Sequence, residues 1–448
     1  MQLTLITLPV LLLILPLTLI PAAFLPPRYT LPVLTLGGLA FGYAAGGIPE
    51  LLLMLTSVTA GWLFLRIQPV LKEKKAAAFA VLFSGYAVQL LILITGRWLL
   101  PDAVQILPLL LCAMQSAGCQ QERARGQTEL PALSAHLCLC CALPRLFAGP
   151  LVTTEQANRI MQQRKPSAER VTAGAMYLTA GLFDSVLIAL PVLSLHREIL
   201  AQHAIVTAAD AWCGMLIFAC GILWTLRGLL AAGHGTALLL GYETRGLVSV
   251  PPHTDSVAGL FSRRLPTLSA WMRRLVLRDG LPLDNAAYSA RMLMVLGTAG
   301  LLCLNTLNGL FLGTLIALLL AAERMLLQRG VRIPQILVPP VAGFLLLLTA
   351  AVMQGDTLTS CFSCIGSLLG MNGFLPGGAM RYLLKSHWLP ITAALIGLLP
   401  IRYAAKRFSA RFLRGVPAAE HAAVILIPLT ELALLLLCTA ELLSRYAR

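Results

Sequence analysis

Residues 142–170 read ALPRLFAGPLVTTEQANRIMQQRKPSAER, and this stretch decides the fold because it separates two long apolar runs. Pro144, Gly149 and Pro150 interrupt the first of these runs, so an uninterrupted helix across a bilayer is not expected here. Non-helical backbone at membrane depth is tolerated only where protein buries it or water fills a cavity. We therefore predict a re-entrant segment over 130–152. A proline-kinked span with a basic exit loop is the alternative.

The composition is that of a membrane protein. Hydrophobic residues make up 58% of the 448 residues, charged residues 12%, and the mean hydropathy is +0.81. Such a chain cannot form a soluble globule, so we predict that it lies in a membrane, with the lipid bilayer as a partner. Lys and Arg outnumber Asp and Glu by 34 to 19. Short cytoplasmic loops of a polytopic protein account for that excess, and no nucleic-acid partner is predicted.

The eleven cysteines lie mostly inside apolar runs, where a thiol behaves as a small hydrophobic group. Cys361 and Cys364 form a CxxC pair, but no second pair or flanking histidine accompanies them, so no metal site is predicted. A disulfide and two free thiols remain the alternatives there. The first 24 residues lack a basic start and are followed by another apolar run, which predicts a retained helix.

Apolar runs predict roughly twelve crossings of a hydrocarbon core about 30 Å thick, in addition to the re-entrant segment. They lie at about 3–24, 31–47, 49–65, 76–99, 103–119, 171–195, 204–226, 286–305, 308–324, 335–354, 387–402 and 418–442. The loop 66–75 has four basic residues and one acidic residue, so it is predicted to be cytoplasmic. Counting outward from it places the other basic loops in the cytoplasm only if 130–152 does not cross. No repeat or linker divides the chain, so residues 1–448 are predicted to form a single membrane domain.

The loop 227–285 contains an amphipathic stretch at 257–277, VAGLFSRRLPTLSAWMRRLVL. Its apolar residues recur at helical spacing beside two pairs of arginines, which predicts a helix lying flat on the cytoplasmic membrane surface. Pro266 kinks this helix or starts a second one. A basic helix resting on anionic lipid is the simplest interpretation.

Residues 143–152, LPRLFAGPLV, followed by a polar turn and a Gln-rich helix to Gln163, resemble the F-P-x-x-x-A-G-P-I signature of the membrane-bound O-acyltransferase (MBOAT) family. The similarity is to its alginate O-acetylase-like branch, whose members modify exported polysaccharides. It extends along the chain in the family's order. Residues 210–214, DAWCG, are similar to the family's A-W-x-G helix, and the Ala-Glu-Arg at 322–324 is similar to its L-E-R.

The resemblance implies an all-α, polytopic, MBOAT-like protein of the bacterial inner membrane. It implies acetyl transfer to an exported polysaccharide, with acetyl-coenzyme A as the donor if the chain is active and no bound cofactor. A periplasmic acetyl-transfer protein or a polysaccharide export complex is the implied partner. The family places a histidine in a tunnel through the membrane as general base, because a neutral imidazole titrates near working pH.

The chain departs from the family at that chemistry. Cys303 stands at the family's histidine position, Leu265 at a second one and Ile316 at a third. The seven histidines present do not occupy those positions and are predicted in loops or at the membrane interface. What remains of the tunnel is predicted to be lined by Cys303 and residues of the same helix, facing the amphipathic stretch. The tunnel candidates are Asn305, Thr306, Asn308, Ser269, Trp271 and Arg273.

Three functions remain open from the sequence. An active acyltransferase with a relocated base is one, and a catalytically silent scaffold or passage in a polysaccharide modification or export complex is another. The missing histidines favour the silent protein. An unrelated transporter would show inverted repeats and intramembrane charges in two matching halves, and none is found. Asp184 and Asp210 are the clearest acids within predicted spans, at positions where both can lie near a membrane face.

Overall fold

A computed structural model describes residues 7, 9–70, 74–100, 106–148, 153–162, 164, 167–202, 207–242, 259, 271, 285–304, 307–331, 334, 338, 340–341, 343–345, 363, 366–375, 378–398 and 417–446. This part of the chain is helical and contains no strand. The helices are α1 (Leu15–Phe24), α2 (Pro27–Ile67), α3 (Lys75–Ile94), α4 (Ile106–Ala124), α5 (Leu133–Cys141), α6 (Leu143–Ala148), α7 (Thr154–Gln162), α8 (Ala168–Leu182), α9 (Leu190–Gln202), α10 (Ala208–Leu239), α11 (Asn285–Leu304), α12 (Leu307–Gln328), α13 (Gly378–Ser386), α14 (Trp388–Leu398) and α15 (Pro417–Tyr446). Three π-helical stretches join this list: π1 (Val10–Ile14), π2 (Thr95–Leu99) and π3 (Phe183–Ala189).

Six helices in the described ranges are long and apolar enough to cross a membrane. They are Tyr29–Ile67, Ala76–Ile94, Ala168–Ile199, Ala208–Leu239, Gly309–Gln328 and Leu426–Arg445. The all-helical membrane class predicted from composition is therefore confirmed. The number of about twelve crossings stays a prediction, and the predicted span 335–354 lies almost wholly outside the described residues.

The helix α2 has 41 residues because it consists of two helical arms joined at a break. Gly46 and Gly47 leave helical geometry, with φ of +67° at Gly47, a backbone conformation that a side chain would strain. Each arm on either side is about 30 Å long, enough to cross a hydrocarbon core. The break falls at the end of the span predicted at 31–47, just before the span predicted at 49–65.

Helices α7, α8 and α10 begin at side-chain caps. Thr153 and Gln156 bond reciprocally: Gln156 N–H donates to the Thr153 hydroxyl at 3.1 Å, and Thr153 N–H donates to Gln156 Oε1 at 3.3 Å. This is the capping box that the sequence pattern T-x-x-Q produces. Ser167 accepts the N–H of Arg170 ahead of α8, and Thr207 accepts that of Asp210 at the start of α10.

The chain packs as two compact units. Unit 1 comprises Met1–Gly174 and Thr236–Cys361, and unit 2 comprises Ala175–Gly235 and Phe362–Arg448. Each unit is built from two separate stretches of chain. The single membrane domain predicted from the sequence stays a prediction.

In unit 1, α2 is the central helix and packs against α1, α3, α4, α5 and α6. It approaches α5 so closely that a Cβ on Gly38 would lie 1.7 Å from the carbonyl oxygen of Cys141. Helices α11 and α12 form an antiparallel hairpin. At its open end, the side-chain amide of Asn285 donates to Gln328 Oε1 at 2.7 Å. Closer to the connection, Gly297 lies next to Leu310.

In unit 2, α8, π3 and α9 pack beside α10, α13 and α14. A Cβ on Gly181 would lie 2.5 Å from the backbone nitrogen of Ala232, so small residues set a close crossing of α8 and α10. The buried core consists of Ile188, Ala189, Val192, Leu195, Ile199, Ile217, Trp224, Met380, Leu383 and Ala394.

The stretch at 133–148 forms two short helices. The break falls at Ala142, which has extended backbone with φ −60° and ψ 130°. Neither α5 nor α6 is long enough to cross a bilayer alone. Entry of 130–152 from the cytoplasmic face stays a prediction, and so does the surface helix at 257–277, of which only Gly259 and Trp271 are described.

Candidate functional site

Of the predicted tunnel residues, Trp271 is the one whose side chain is described. It is 9% exposed, its indole Nε1–H donates to the carbonyl oxygen of Met114 at 3.2 Å, and it lies against Gly118. The amphipathic stretch is thus held against α4 at this point. Ser269, Arg273, Asn305 and Thr306 lie outside the described residues, as do Gly149 and Pro150 of the re-entrant motif, whereas Pro144 is buried in α6.

The expectation that Cys303 and Asn308 share one helix is wrong. Cys303 belongs to α11 and Asn308 to α12, and these helices run antiparallel.

A buried polar cluster lies where α2, α3, α4 and α5 meet. We call it the α4 polar cluster, and its members are Ser57, Gln89, Ser116, His136 and Cys140. The Ser57 hydroxyl donates to Gln89 Oε1 at 2.6 Å, and the Gln89 amide donates back to the carbonyl oxygen of Ser57 at 2.8 Å and to Ser116 Oγ at 3.4 Å. These side chains are buried, so each bond replaces a contact with water that the apolar interior does not offer.

His136 closes the cluster from α5. Its Nε2 lies 3.4 Å from Ser116 Oγ and 3.7 Å from Cys140 Sγ, and its side chain is fully buried. Its Nδ1 has no hydrogen-bond partner among the residues that the structure describes. Burial lowers the pKa of His136 to about 4, so the imidazole is neutral at neutral pH.

A second polar layer crosses the same helices. Gln120 donates to Gln68 Oε1 at 3.2 Å and to the carbonyl oxygen of Val81 at 3.1 Å, while Gln68 donates to the carbonyl oxygen of Ala78 at 3.0 Å. A Cβ on Gly85 would overlap Gln120, so the glycine makes room for this amide. Paired amides of this kind hold helices together in lipid.

Thiols surround the cluster without forming a metal site. Cys112 Sγ lies 3.8 Å from Cys141 Sγ, and both are free. In the part of the chain that the structure describes, no three His, Cys, Asp or Glu side chains are placed to hold one ion. Cys361 and Cys364 lie outside it.

Unit 2 holds an ion pair. Arg227 on α10 donates from Nε to Asp184 Oδ2 at 2.7 Å and from Nη2 to Oδ1 at 2.9 Å. Its Nη1 donates to the carbonyl oxygen of Gly397 on α14 at 3.1 Å, and the guanidinium lies 3.8 Å over the ring of Trp224. Asp184 is fully buried in π3.

The pair joins two apolar helices that are each long enough to cross a membrane. A crossing needs about 20 residues, and every window of that length in Ala168–Ile199 or in Ala208–Leu239 includes Asp184 or Arg227, respectively. Such a window can also end at or close to either residue, as 208–227 does at Arg227, so the position of Asp184 near a membrane face stays a prediction. Asp210 sits in the first turn of α10, where Thr207 donates to its Oδ2 at 2.8 Å.

The histidine positions also differ from the expectation. His136, His196 and His234 lie in helices and are buried, with exposures of 0%, 4% and 7%, so they are not loop histidines. A position at the membrane interface stays a prediction. Sequence reasoning also missed the α4 polar cluster. The available signal was the presence of Gln89 and Ser116 within otherwise apolar runs, since buried amides need partners.

These helices, their apolar surfaces and the buried charge pair define a multi-pass, all-helical membrane protein. Comparison with known protein families and with proteins of described function finds no match to this chain.

Proposed function

We propose that this chain is a catalytically silent relative of the polysaccharide O-acyltransferases of the bacterial inner membrane, acting as a scaffold or passage in a polysaccharide modification or export complex. The proposal keeps the MBOAT-like arrangement of about twelve crossings and a re-entrant segment. A periplasmic acetyl-transfer protein or an export complex is its partner. Its support in the sequence is that Leu265, Cys303 and Ile316 stand where the resemblance places histidines.

The observation that carries the proposal is the state of His136. It is the one histidine of unit 1 within the described residues, and its ring is fully buried. A general base must reach the proton of the attacking hydroxyl, and its pKa must lie near the working pH. His136 is sealed from any polymer, and a pKa of about 4 makes it a weak base.

The test is acetyl transfer by the purified full chain in lipid vesicles. A base near the attacking oxygen contributes about 10²–10⁴-fold to such a reaction, so we expect no transfer from acetyl-coenzyme A to an exported polysaccharide such as alginate. Deleting the protein should then act through loss of its complex. Turnover that survives Cys303→Ala would refute silence, and turnover abolished by that change alone would make Cys303 the catalytic residue.

An active acyltransferase that uses His136 as a relocated base is the second candidate. Ser116 Oγ lies 3.4 Å from His136 Nε2, close to the reach that a hydroxyl and its base require. Under this function, His136→Gln abolishes turnover while His196→Gln, which alters another buried histidine, leaves it intact. Equal turnover in wild type and His136→Gln would exclude it.

A further inference from the structure

Two free thiols lie in contact in the interior of unit 1. Cys112 belongs to α4 and Cys141 is the last residue of α5, and their sulfur atoms are 3.8 Å apart. Both residues are fully buried, and neither forms a disulfide in this structure. They are 29 positions apart in the sequence, so the fold and not the local chain brings the two thiols together.

The backbone at the end of α5 is held on two sides. The carbonyl oxygen of Cys141 lies so close to Gly38 of α2 that no Cβ fits there. On the other side, the thiol of Cys112 donates to the carbonyl oxygen of Cys140 at 3.5 Å. The last turn of α5 therefore lies between α2 and α4, and the two thiols stay close unless these helices move.

The separation of the two sulfur atoms suits a covalent bond. A disulfide has an S–S distance of about 2.05 Å, so the sulfur atoms have to approach by about 1.8 Å. Rotation about the two Cα–Cβ bonds can supply a change of that size. The neighbouring thiol of Cys140 has a different partner, since its sulfur lies 3.7 Å from His136 Nε2.

We propose that Cys112 and Cys141 form a reversible disulfide that fixes the end of α5 to α4. Two S–H bonds break and one S–S bond forms, and the two electrons and two protons pass to a lipid-soluble two-electron oxidant, a quinone or an azo compound. Because both thiols are buried, water-soluble oxidants such as oxidised glutathione should react poorly with them. This inference stands apart from the proposed function, because it needs neither acetyl transfer nor a complex.

The disulfide would act on the break between α5 and α6. Ala142, directly after Cys141, has the extended backbone that separates the two helices. A covalent bond at Cys141 limits how far this break can move relative to α4, whereas in the reduced protein only non-covalent contacts hold it. We therefore expect oxidation to slow backbone motion in 133–148. It should also raise the unfolding midpoint, because the bond closes a long loop in the unfolded chain.

The first experiment maps the bond in the purified full chain in detergent. The reduced protein is treated with diamide, a membrane-permeant azo oxidant, and the remaining thiols are blocked with N-ethylmaleimide after denaturation. Mass spectrometry of the tryptic digest should then show peptide 98–123, which contains Cys112, joined to peptide 126–145, which contains Cys141. Dithiothreitol should remove this product. Oxidised glutathione at the same concentration should give much less of it.

Single variants assign the bond within these two peptides, each of which contains more than one cysteine. Cys112→Ala and Cys141→Ala should each abolish the cross-linked product. Cys140→Ala is the matched control, because Cys140 is adjacent and buried but lies against His136, so its removal should leave the product intact. A product that persists in Cys141→Ala and disappears in Cys140→Ala would overturn the assignment. Should an alanine variant not fold, the corresponding serine variant carries the test.

The second experiment asks whether the bond changes the protein. Hydrogen exchange of the amides in 133–148 should slow after diamide treatment and recover after reduction, and the unfolding midpoint should rise and fall with it. Neither change should occur in Cys112→Ala treated with diamide, which controls for oxidation of the other cysteines. The proposal is overturned if diamide yields no product between Cys112 and Cys141, or if the product forms without either change.

Discussion

At the scale of the single residue, Arg164 uses all five of its N–H donors in hydrogen bonds. Its acceptors include the carbonyl oxygens of Ala22, Ala23 and Leu25 at the end of α1 and that of Leu240 beyond the end of α10. The last carbonyls of a helix have no partner within it, and a cation there is favoured by the helix dipole. One guanidinium therefore supplies hydrogen bonds to the terminal carbonyl groups of two helices.

Arg164→Lys should destabilise the protein although the charge is kept. A lysine ammonium has three donors on a flexible stem and cannot reproduce the planar fork. Losing at least two bonds to a charged donor is expected to cost about 2–4 kcal/mol, seen as a lower thermal unfolding midpoint in detergent. Arg159→Lys is the control, because its exposed pair with Glu155 should change stability by about 0.5 kcal/mol or less. Equal midpoints for the two variants would contradict this role of Arg164.

Residues also show where sequence reasoning succeeds and where it stops. Apolar runs located most helices well: the predicted spans 76–99 and 286–305 correspond to Lys75–Leu99 and Asn285–Leu304. Hydropathy reads local composition, and helix formation in lipid depends on that composition. The partner of Gln89 is Ser57, 32 residues earlier, and no local pattern encodes which face of α2 meets α3.

At the scale of helices, α2 and α5 approach each other closely at Gly38. A Cβ on Gly38 would lie 1.7 Å from the carbonyl oxygen of Cys141 and 3.1 Å from the backbone nitrogen of Leu143. Backbone atoms cannot rotate away as a side chain can, so the two helices would have to separate. No local pattern in the sequence indicates that Gly38 faces α5.

Gly38→Ala should therefore lower the unfolding midpoint. Overpacking usually costs about 1–3 kcal/mol, and a backbone clash lies at the upper end of that range or beyond it. Gly343→Ala is the matched control, because nothing lies within 4 Å of a Cβ added there. Alanine suits a helix better than glycine, so the control should be neutral or slightly stabilising. A Gly38→Ala protein as stable as this control would show that α2 and α5 are not so close.

The ion pair of unit 2 joins π3, α10 and α14. Asp184→Asn leaves Arg227 without its buried counter-charge, and breaking a buried pair in this way costs about 3–5 kcal/mol. Asp184→Asn combined with Arg227→Gln removes both charges, so the double variant should recover most of the lost stability. A double-mutant cycle of unfolding midpoints measures this coupling. Additive losses would mean that the two side chains do not interact. Glu155→Gln, in the exposed Glu155–Arg159 pair, is the control and should have little effect.

At the scale of the whole molecule, the distribution of basic residues orients the chain in the membrane. The loop 66–75 and the stretch 159–170 are both basic, and the positive-inside rule predicts that both are cytoplasmic. Residues 133–148 form α5 and α6, each too short to cross. An even number of crossings must therefore lie between the two basic segments, which the predicted spans 76–99 and 103–119 supply.

Cysteine accessibility tests that orientation in intact cells and in permeabilised cells. Val70→Cys and Ile160→Cys should react with a membrane-impermeant maleimide only after permeabilisation, in a background that lacks the native cysteines. Met371→Cys is the opposite control: Met371 is 81% exposed, and counting crossings from loop 66–75 places it in the periplasm, so it should react in intact cells. If positions 70 and 160 react from opposite sides, then 130–152 crosses the membrane. The alternative of a proline-kinked span, with α5 and α6 as its two halves, would then replace the re-entrant segment.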